Sequence, residues 1–254
     1  GHAAGDLHPA AAALIRGTPP ARQIQKPGET VIESALRLVR TMKGGCLVIQ
    51  GPPGTGKTYT ASHMIAGLIA DGKKVGIASN SRKAVVNLVT ACLETAAEGK
   101  NAMPALIVGG EPEEKLMEQF SALGHAEFSS EGFPAYKGGV VGGTAWLFCR
   151  EEWEGQLDFL FIDEAGQVPL ANAVAMSRCA RNLVLLGDQM QLEQPVQGAH
   201  PGDAGMSALQ YALKDIEASE PDKPVYHAVI PEDYGLFLGE TRRMHPDVCR
   251  FISE

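Results

Sequence analysis

The segment that most constrains how this chain can fold is residues 47–58, which read Leu-Val-Ile-Gln-Gly-Pro-Pro-Gly-Thr-Gly-Lys-Thr. Its apolar start predicts a buried strand, and the small residues of 51–56 let backbone N–H groups curve around an anion. Lys57 and Thr58 then open a helix whose positive end faces that anion. The segment therefore predicts a phosphate-binding loop made of Gly51, Pro52, Pro53, Gly54, Thr55, Gly56, Lys57 and Thr58.

Two side chains of this loop suit a nucleotide bound with a metal ion. The Lys57 ammonium can reach the β- and γ-phosphates as a point charge, and the Thr58 hydroxyl can hold Mg²⁺. A glycine turn before an amphipathic helix is the alternative interpretation. The full pattern arises by chance in a chain of this length only about one time in a hundred, so we expect a nucleotide and Mg²⁺ here.

Charge and cysteine usage exclude several classes of function. The net charge of −8 argues against binding nucleic acid or anionic membrane through bulk electrostatics, so any polynucleotide contact must be local. The five cysteines are widely spaced and form no C-x-x-C pair, which predicts neither a disulfide framework nor a zinc site. Apolar runs are too short for a membrane span, and no signal peptide is recognisable. We expect a cytoplasmic protein without a membrane partner.

Predicted strands and helices alternate along most of the chain. Helical spacing of apolar residues covers 29–42, 58–70 and the segment after 80–81, and the predicted strands are 47–50, 74–79, 106–108, 140–144, 159–162 and 183–186. This rhythm predicts an α/β fold with a mainly parallel sheet and helices on both faces. Residues 1–28, rich in Ala and Pro, are expected to form a linker or lead-in with a short helix at 10–15. Residues 29–254 would form the nucleotide-binding domain, with 98–138 as an insertion that ends in a loop over 124–139.

A second acidic motif follows the strand at 159–162. That strand would deliver Asp163 to Mg²⁺ through water, and the adjacent Glu164 could polarise the attacking water. A strand ending in two acids is usually only a solvated strand end. The phosphate-binding loop upstream reverses that interpretation, so we expect Asp163 as a metal residue and Glu164 as a catalytic residue.

Two further polar segments are candidates because of where they stand in the order of motifs described below. Gln191 follows the strand at 183–186 at the same sheet edge, where it could contact the γ-phosphate or water. Arg242 and Arg243 could neutralise charge on the transferred phosphoryl group. If it stood alone, Gln191 would be an ordinary turn glutamine. The arginine pair alone would be a solvated surface pair.

In order, six segments resemble motifs I, Ia, Ic, II, III and IV of superfamily 1 helicases: 51–58, 78–81 with 84–88, 141–144, 161–167, 186–192 and 243–246. The spellings Asp-Glu-Ala-Gly-Gln and Arg-Met-His-Pro resemble the branch that contains the nonsense-mediated-decay helicase and the Dna-two-type nuclease–helicases. The resemblance spans about residues 46–254. It implies the first RecA-like motor domain of a P-loop NTPase that hydrolyses ATP with Mg²⁺ and acts on single-stranded DNA or RNA, in DNA repair for example.

The resemblance also implies roles for individual residues. Ser79, Asn80 and Thr144 would contact the phosphates of a single strand, although by residue type alone they are capping or strand-end residues. Gln191, Arg243 and Glu164 would be catalytic. Family members usually have Gln-Tyr before the motif IV arginine, with the tyrosine on adenine; here the pair is Thr241-Arg242, and the Arg242 guanidinium could stack on the base instead. Gln23 and Gln25 are candidates for reading adenine.

The resemblance sets expectations about the parent protein. A second RecA-like domain would be absent from this chain, which would leave the isolated chain nearly inactive. The Ala/Pro-rich start resembles the junction after a RecB-like nuclease domain. Two alternatives remain: a P-loop ATPase or kinase that does not act on nucleic acid, and a non-catalytic nucleotide-binding module. Motifs II, III and IV together are not needed to phosphorylate a small substrate, and the intact Lys57, Asp163 and Glu164 argue against the module.

Overall fold

The structure is a computed structural model that describes residues 8–110, 118, 120, 123, 126–188, 202–220 and 223–240. The strands in this part of the chain are β1 (Cys46–Gln50), β2 (Val75–Ala78), β3 (Ala105–Val108), β4 (Ala126–Ser129), β5 (Val140–Gly143), β6 (Leu157–Ile162), β7 (Ala180–Gly187), β8 (Lys214–Glu220), β9 (Lys223–Tyr226) and β10 (Gly235–Phe237). Eight strands form one sheet in the order β10-β1-β7-β6-β2-β5-β3-β4, and all adjacent pairs are parallel. β8 and β9 form a separate antiparallel pair.

Helices connect these strands, with bounds α1 (Pro9–Ile15), α2 (Val31–Thr41), α3 (Lys57–Ala70), α4 (Arg82–Glu98), α5 (Ala145–Phe148), α6 (Leu170–Met176) and α7 (Ala208–Ala212). Single 3₁₀ turns cover Phe133–Ala135, Glu151–Trp153, Ser177–Cys179 and Gly202–Gly205. α2 begins with a capping box, in which Thr30 Oγ1 accepts from Glu33 N and Glu33 Oε2 accepts from Thr30 N. No helix in the described ranges is long and apolar enough to cross a membrane.

Both faces of the main sheet are covered. Side chains alternate along β1, so that Leu47 and Ile49 pack with α2, α3 and α4, whereas Cys46 and Val48 pack with α1 on the opposite face. A parallel sheet that is buried on both sides needs this two-sided apolar pattern. The predicted α/β fold, a mainly parallel sheet with helices on both faces, is confirmed.

The register of the strands gathers the ends of five neighbours at one edge of the sheet. Gln50 of β1 is opposite Gly187 of β7, and Ala78 of β2 is opposite both Ile162 of β6 and Gly143 of β5. The residues that follow these strands therefore leave the sheet side by side. The phosphate-binding loop, Asp163 and Thr144 all follow such strand ends.

Part of the segment 1–28, which was expected to be a linker or lead-in, packs against the sheet. α1 confirms the predicted short helix, but Ala10 and Leu14 lie in the core against the sheet. Ile24 is buried as well, in the core on the other face. Small alanines pack closely against a sheet, and for that reason the Ala-rich composition was a poor sign of a linker.

Four strands lie where the sequence patterns predicted no strand. β4 occupies part of 124–139 and pairs with β3, so the predicted insertion at 98–138 extends the sheet at its edge. The β8–β9 hairpin lies within 214–226 and β10 within 235–237, and neither segment is among the predicted strands. β10 has only three residues and pairs with β1. These strands are short, and their pairing depends on distant partners that local periodicity does not reveal.

One buried side chain fixes the entry into β1. Asn182 on β7 is almost fully buried, and its Oδ1 accepts from Gly44 N at 2.8 Å and Gly45 N at 3.2 Å. Its Nδ2 donates to Asp158 O at 3.0 Å on β6. A single amide thus ties the turn before β1 to two central strands.

We expect Asn182→Ala to lower the free energy of unfolding by about 1–3 kcal/mol, because it removes three hydrogen bonds and leaves backbone groups without partners. Urea denaturation followed by circular dichroism measures this change. Asn101→Ala is the matched control, since Asn101 is exposed, and it should change stability by less than about 0.5 kcal/mol. Equal stability of the two variants would contradict the role of Asn182.

Candidate active site

The loop between β1 and α3 has the backbone that the sequence predicted. Gly54 and Gly56 have φ angles of 83° and 92°, a region that glycine adopts without strain. Gly51 N donates to Gly187 O at 3.0 Å, and Thr55 Oγ1 donates to Pro52 O at 2.8 Å. A Cβ at Gly51 would lie 2.5 Å from Thr55 Oγ1, so a larger residue does not fit there.

Lys57 is the first residue of α3, and its side chain turns back over the loop. Its ammonium donates to Gly51 O and, at 3.0 Å, to Pro52 O. Thr58, the next residue, is exposed on the first turn of the helix. The charge of Lys57 and the hydroxyl of Thr58 therefore lie at the positive end of α3, beside the loop N–H groups.

Asp163 follows β6 and is largely buried. Its backbone N–H donates to Ala78 O at 2.8 Å, and its Oδ1 accepts from Glu164 N at 3.0 Å. The pKa of this carboxyl is raised to about 6, chiefly by burial; the Glu164 N–H bond and the Lys57 charge lower the pKa, and the nearby Glu164 charge raises it. A cation placed beside Asp163 would favour its charged form.

Glu164 has a backbone conformation that is unusual for its residue type. Its φ is 56°, in the left-handed region, which costs a non-glycine residue roughly 1–2 kcal/mol. The Glu164 carbonyl accepts from Gln167 N at 2.8 Å, and Oε2 accepts from the Ser79 hydroxyl at 3.2 Å. The surroundings therefore hold the carboxylate in one orientation, and strain of this kind is concentrated at functional sites.

Ser79 has a different position from the one that the resemblance implied. It is only 2% exposed, and its hydroxyl is shared between Glu164 Oε2 and Ser81 N, which donates to it at 3.3 Å. A buried hydroxyl in this place cannot meet a nucleic-acid strand without rearrangement. In the structure its hydroxyl donates to the Glu164 carboxylate instead.

One cleft brings the predicted nucleotide and catalytic residues together. It has a volume of about 570 Å³ and is lined by Pro53, Gly54, Gly56, Lys57, Thr58, Tyr59, Ala84, Asn87, Leu88, Asp163, Glu164 and Gly187. Five of these residues lay outside the sequence prediction, among them Tyr59 and the α4 residues Ala84, Asn87 and Leu88. The motif that includes 84–88 did not by itself place these α4 residues at the nucleotide site; the packing of α4 against α3 and β5 brings them there.

The donor set of this cleft fits Mg²⁺ bound with a nucleotide. Mg²⁺ prefers oxygen ligands and usually takes one or two from the protein, with waters and phosphates completing the shell. Thr58 and Asp163 supply such oxygens at one cleft. Within the described ranges, no group of three or more His, Cys, Asp and Glu side chains could hold a metal by itself.

The remaining predicted residues fall into two groups. Gln191, Arg242 and Arg243 lie outside the described residues. Asn80 donates its side-chain N–H to Gln167 O at 2.8 Å, which ties the end of β2 to the loop after Asp163.

Thr144 is exposed at the start of α5, and its hydroxyl does not cap that helix. Gln23 and Gln25 line a separate groove of about 790 Å³ formed with residues 229–237, not the cleft beside the loop.

The raised pKa of Asp163 predicts a pH-dependent cost to stability. A carboxyl with a folded pKa of about 6 and an unfolded pKa near its usual value binds its proton more tightly in the folded state. Its contribution to stability is therefore lost as the pH rises toward and past about 6. In metal-free buffer, Asp163→Asn should gain about 1–2 kcal/mol of stability relative to the parent between pH 5 and pH 8.

Urea denaturation in EDTA at both pH values measures that difference. Asp71→Asn is the matched control, because Asp71 is an exposed carboxylate that pairs with Arg40 on the surface. A pH-independent difference between Asp163→Asn and the parent would contradict the assigned pKa.

Comparison with known proteins agrees with this geometry. Residues 33–216 match a family model described as AAA domain. Over 172 residues, 65% of the chain, it is 27% identical to the DNA replication ATP-dependent helicase/nuclease dna2 of Schizosaccharomyces pombe. Over 176 residues, 68% of the chain, it is 30% identical to the DNA replication ATP-dependent helicase/nuclease JHS1 of Arabidopsis thaliana. The resemblance to Dna-two-type proteins that the motif spellings indicated is confirmed.

The chain spans only 12% and 13% of the lengths of these two relatives. Among solved structures, it is similar to the Pif1 helicase of Candida albicans, with 19% identity, a TM-score of 0.44, and coverage of 90% of this chain and 43% of that one. The Arterivirus nonstructural protein 10 helicase in complex with DNA gives 15% identity, a TM-score of 0.46, and coverage of 86% and 41%.

Proposed function

Because the chain belongs to the AAA-domain family, we propose that it is the ATP-binding and hydrolysing motor domain of a superfamily 1 helicase that acts on single-stranded nucleic acid. The observation that carries this proposal is the common cleft of Lys57, Asp163 and Glu164. Hydrolysis of a nucleoside triphosphate requires a cation on the phosphates, a residue that holds Mg²⁺ and a residue that acts on the attacking water, and we assign these roles to Lys57, Asp163 and Glu164.

In this proposal the loop N–H groups of 51–56 and the Lys57 ammonium bind the phosphates of ATP. Lys57 would exchange its bonds to Gly51 O and Pro52 O for bonds to phosphate oxygens. Thr58 and Asp163 would hold Mg²⁺, which neutralises charge on the β- and γ-phosphates when it is bound. The Arg242 guanidinium would stack on the adenine ring, and Gln191 would contact the γ-phosphate or the attacking water.

Glu164 is the proposed general base. Its carboxylate would accept a proton from the attacking water, while the Ser79 hydroxyl fixes the carboxylate orientation. Arg243 would supply a cation on the phosphoryl group from the end of this domain. An arginine in that role raises rates by roughly 10³–10⁵ in a related class of enzyme, and a second RecA-like domain would supply another from across the cleft.

The relatives of this chain indicate its partners and its setting. The relatives named above are DNA replication proteins, which favours single-stranded DNA over RNA as the partner of this chain and replication or repair as its setting. Their greater length leaves room for a second RecA-like domain and a nuclease domain in the parent protein. Buried free thiols at Cys46, Cys92 and Cys179 suit a cytoplasmic compartment.

The test of this function is the ATPase rate with and without single strands. The chain alone should bind ATP but hydrolyse it slowly, whereas a form extended C-terminally through the second RecA-like domain should be stimulated by single-stranded DNA. Lys57→Ala should abolish the activity of the extended form. Indifference of the extended form to every polynucleotide would favour a kinase or an ATPase that does not act on nucleic acid, and absence of turnover would favour a binding module.

Glu164→Gln tests the assigned base. The amide preserves size but cannot accept the proton, so the extended form should retain its ATP affinity and lose about 10²–10⁴ in kcat. Calorimetry measures the affinity, and phosphate release measures the rate. Glu94→Gln, which changes an exposed acid on α4, is the control and should hydrolyse ATP at the parental rate. Parental turnover by Glu164→Gln would assign the base to another residue.

A further inference from the structure

The most exposed large apolar side chain in the described part of the chain is an indole. Trp146 is 83% exposed, whereas the other exposed large hydrophobic side chains there range from 38% to 51%. Single exposed apolar residues are common, so exposure alone assigns no role. Trp146 also lies on a backbone segment that is anchored, because the two residues after it, Leu147 and Phe148, are buried.

Leu147 and Phe148 fix the backbone of the helical turn that carries Trp146. Phe148 packs with its ring centroid 5.8 Å from that of the fully buried Trp153, and Leu147 lies against the end of β5. The single-turn helix α5 is therefore anchored in the core on one side. Trp146 projects from the other side of this anchored turn, so its backbone is already ordered before any ligand binds.

The position of Trp146 relates it to the proposed nucleic-acid contacts. β2 and β5 are adjacent, with Ala78 opposite Gly143, and Ser79 N donates to Gly143 O at 3.4 Å. Ser79 and Thr144 therefore leave the sheet side by side, and Asn80 is the next residue after Ser79. Trp146 follows the exposed Thr144 by two residues, on the same edge.

The charges near Trp146 bear on whether ionic contacts or base stacking would contribute most of the affinity for a single strand. Arg82 and Lys83 at the start of α4 are exposed, and Arg150 beyond α5 is exposed and lies 3.7 Å from Glu152. Glu151 and Glu152 offset part of this positive charge, and the whole chain is at −8. Release of counterions can therefore supply only a small share of the binding energy, whereas stacking of a base on an aromatic ring requires no net charge.

The residues around the indole favour a nucleobase over a protein surface. The residues of this segment that are exposed beside Trp146 are Thr144, Cys149 and Arg150. Protein interfaces have a contiguous apolar core, which one isolated ring among polar neighbours does not provide. A flat, lone indole beside phosphate-contact positions matches the stacking platforms of proteins that bind single strands.

We propose that Trp146 is a stacking platform for a base of single-stranded nucleic acid bound across the ends of β2 and β5. This inference rests on the proposed function. Trp146→Ala should weaken binding of a labelled oligothymidylate by roughly five- to hundredfold, the equivalent of 1–3 kcal/mol for one stacked base. Trp146→Phe should recover part of that loss, and neither change should alter ATP affinity or the slope of binding against salt concentration.

Tryptophan fluorescence gives a direct second readout. The chain has two tryptophans, and Trp153 is fully buried against Phe133, Tyr136 and Phe148. Subtracting the emission of Trp146→Ala from that of the parent isolates the Trp146 signal, even if Trp153 variants fail to fold. Oligothymidylate should quench that signal and shield it from iodide. Tyr226→Ala, which removes an exposed aromatic ring on the β8–β9 hairpin, should bind like the parent.

The outcomes separate this inference from the proposed function. If Trp146→Ala binds oligothymidylate as the parent does, while the extended form is still stimulated by single strands, the stacking role is wrong and the function stands. If the extended form with Trp146 intact binds no polynucleotide, both are wrong. If iodide cannot reach Trp146 in the extended form without nucleic acid, another protein domain covers the indole and the stacking role is wrong.

Discussion

Parallel strand pairing at one edge of the sheet is the constraint on which the site depends. Because β1, β7, β6, β2 and β5 are hydrogen-bonded in a fixed register, the residues after them leave at the same level. The bond from Gly51 N to Gly187 O continues this pairing into the loop. A slip by one residue would turn every side chain of a strand to the other face and would move Asp163 away from Lys57.

The loop is also fixed from the edge of the sheet. Gln50, the last residue of β1, is almost fully buried, and its amide donates to Ala228 O at 3.1 Å and accepts from Ile230 N. Its backbone carbonyl accepts from Leu238 N at 2.8 Å, just beyond β10. One residue therefore joins the phosphate-binding loop to the segment that leads toward Arg242 and Arg243.

The local motifs predicted the centre of this protein well and its periphery poorly. The loop and the Asp163–Glu164 pair were predictable because strand, turn and helix signals are adjacent in the sequence. The packing of α1, the pairing of β4 and β10, and the contact between Ser79 and Glu164 depend on residues distant in the chain, which periodicity cannot reveal. The outward position of Trp146 was also hidden, because tryptophan is highly buried on average and its direction follows from the anchoring of its neighbours.

Because the backbone at Glu164 is left-handed, a substitution that relieves this strain would raise stability but remove the proposed base for ATP hydrolysis. Glycine adopts a φ of 56° without strain, so its introduction would relieve a cost that the glutamate side chain imposes. The same change would delete the proposed base. A screen of random variants for heat resistance alone would therefore tend to enrich inactive proteins at this residue. Engineering of this domain for stability would have to exclude the motif from selection or select for ATP turnover at the same time.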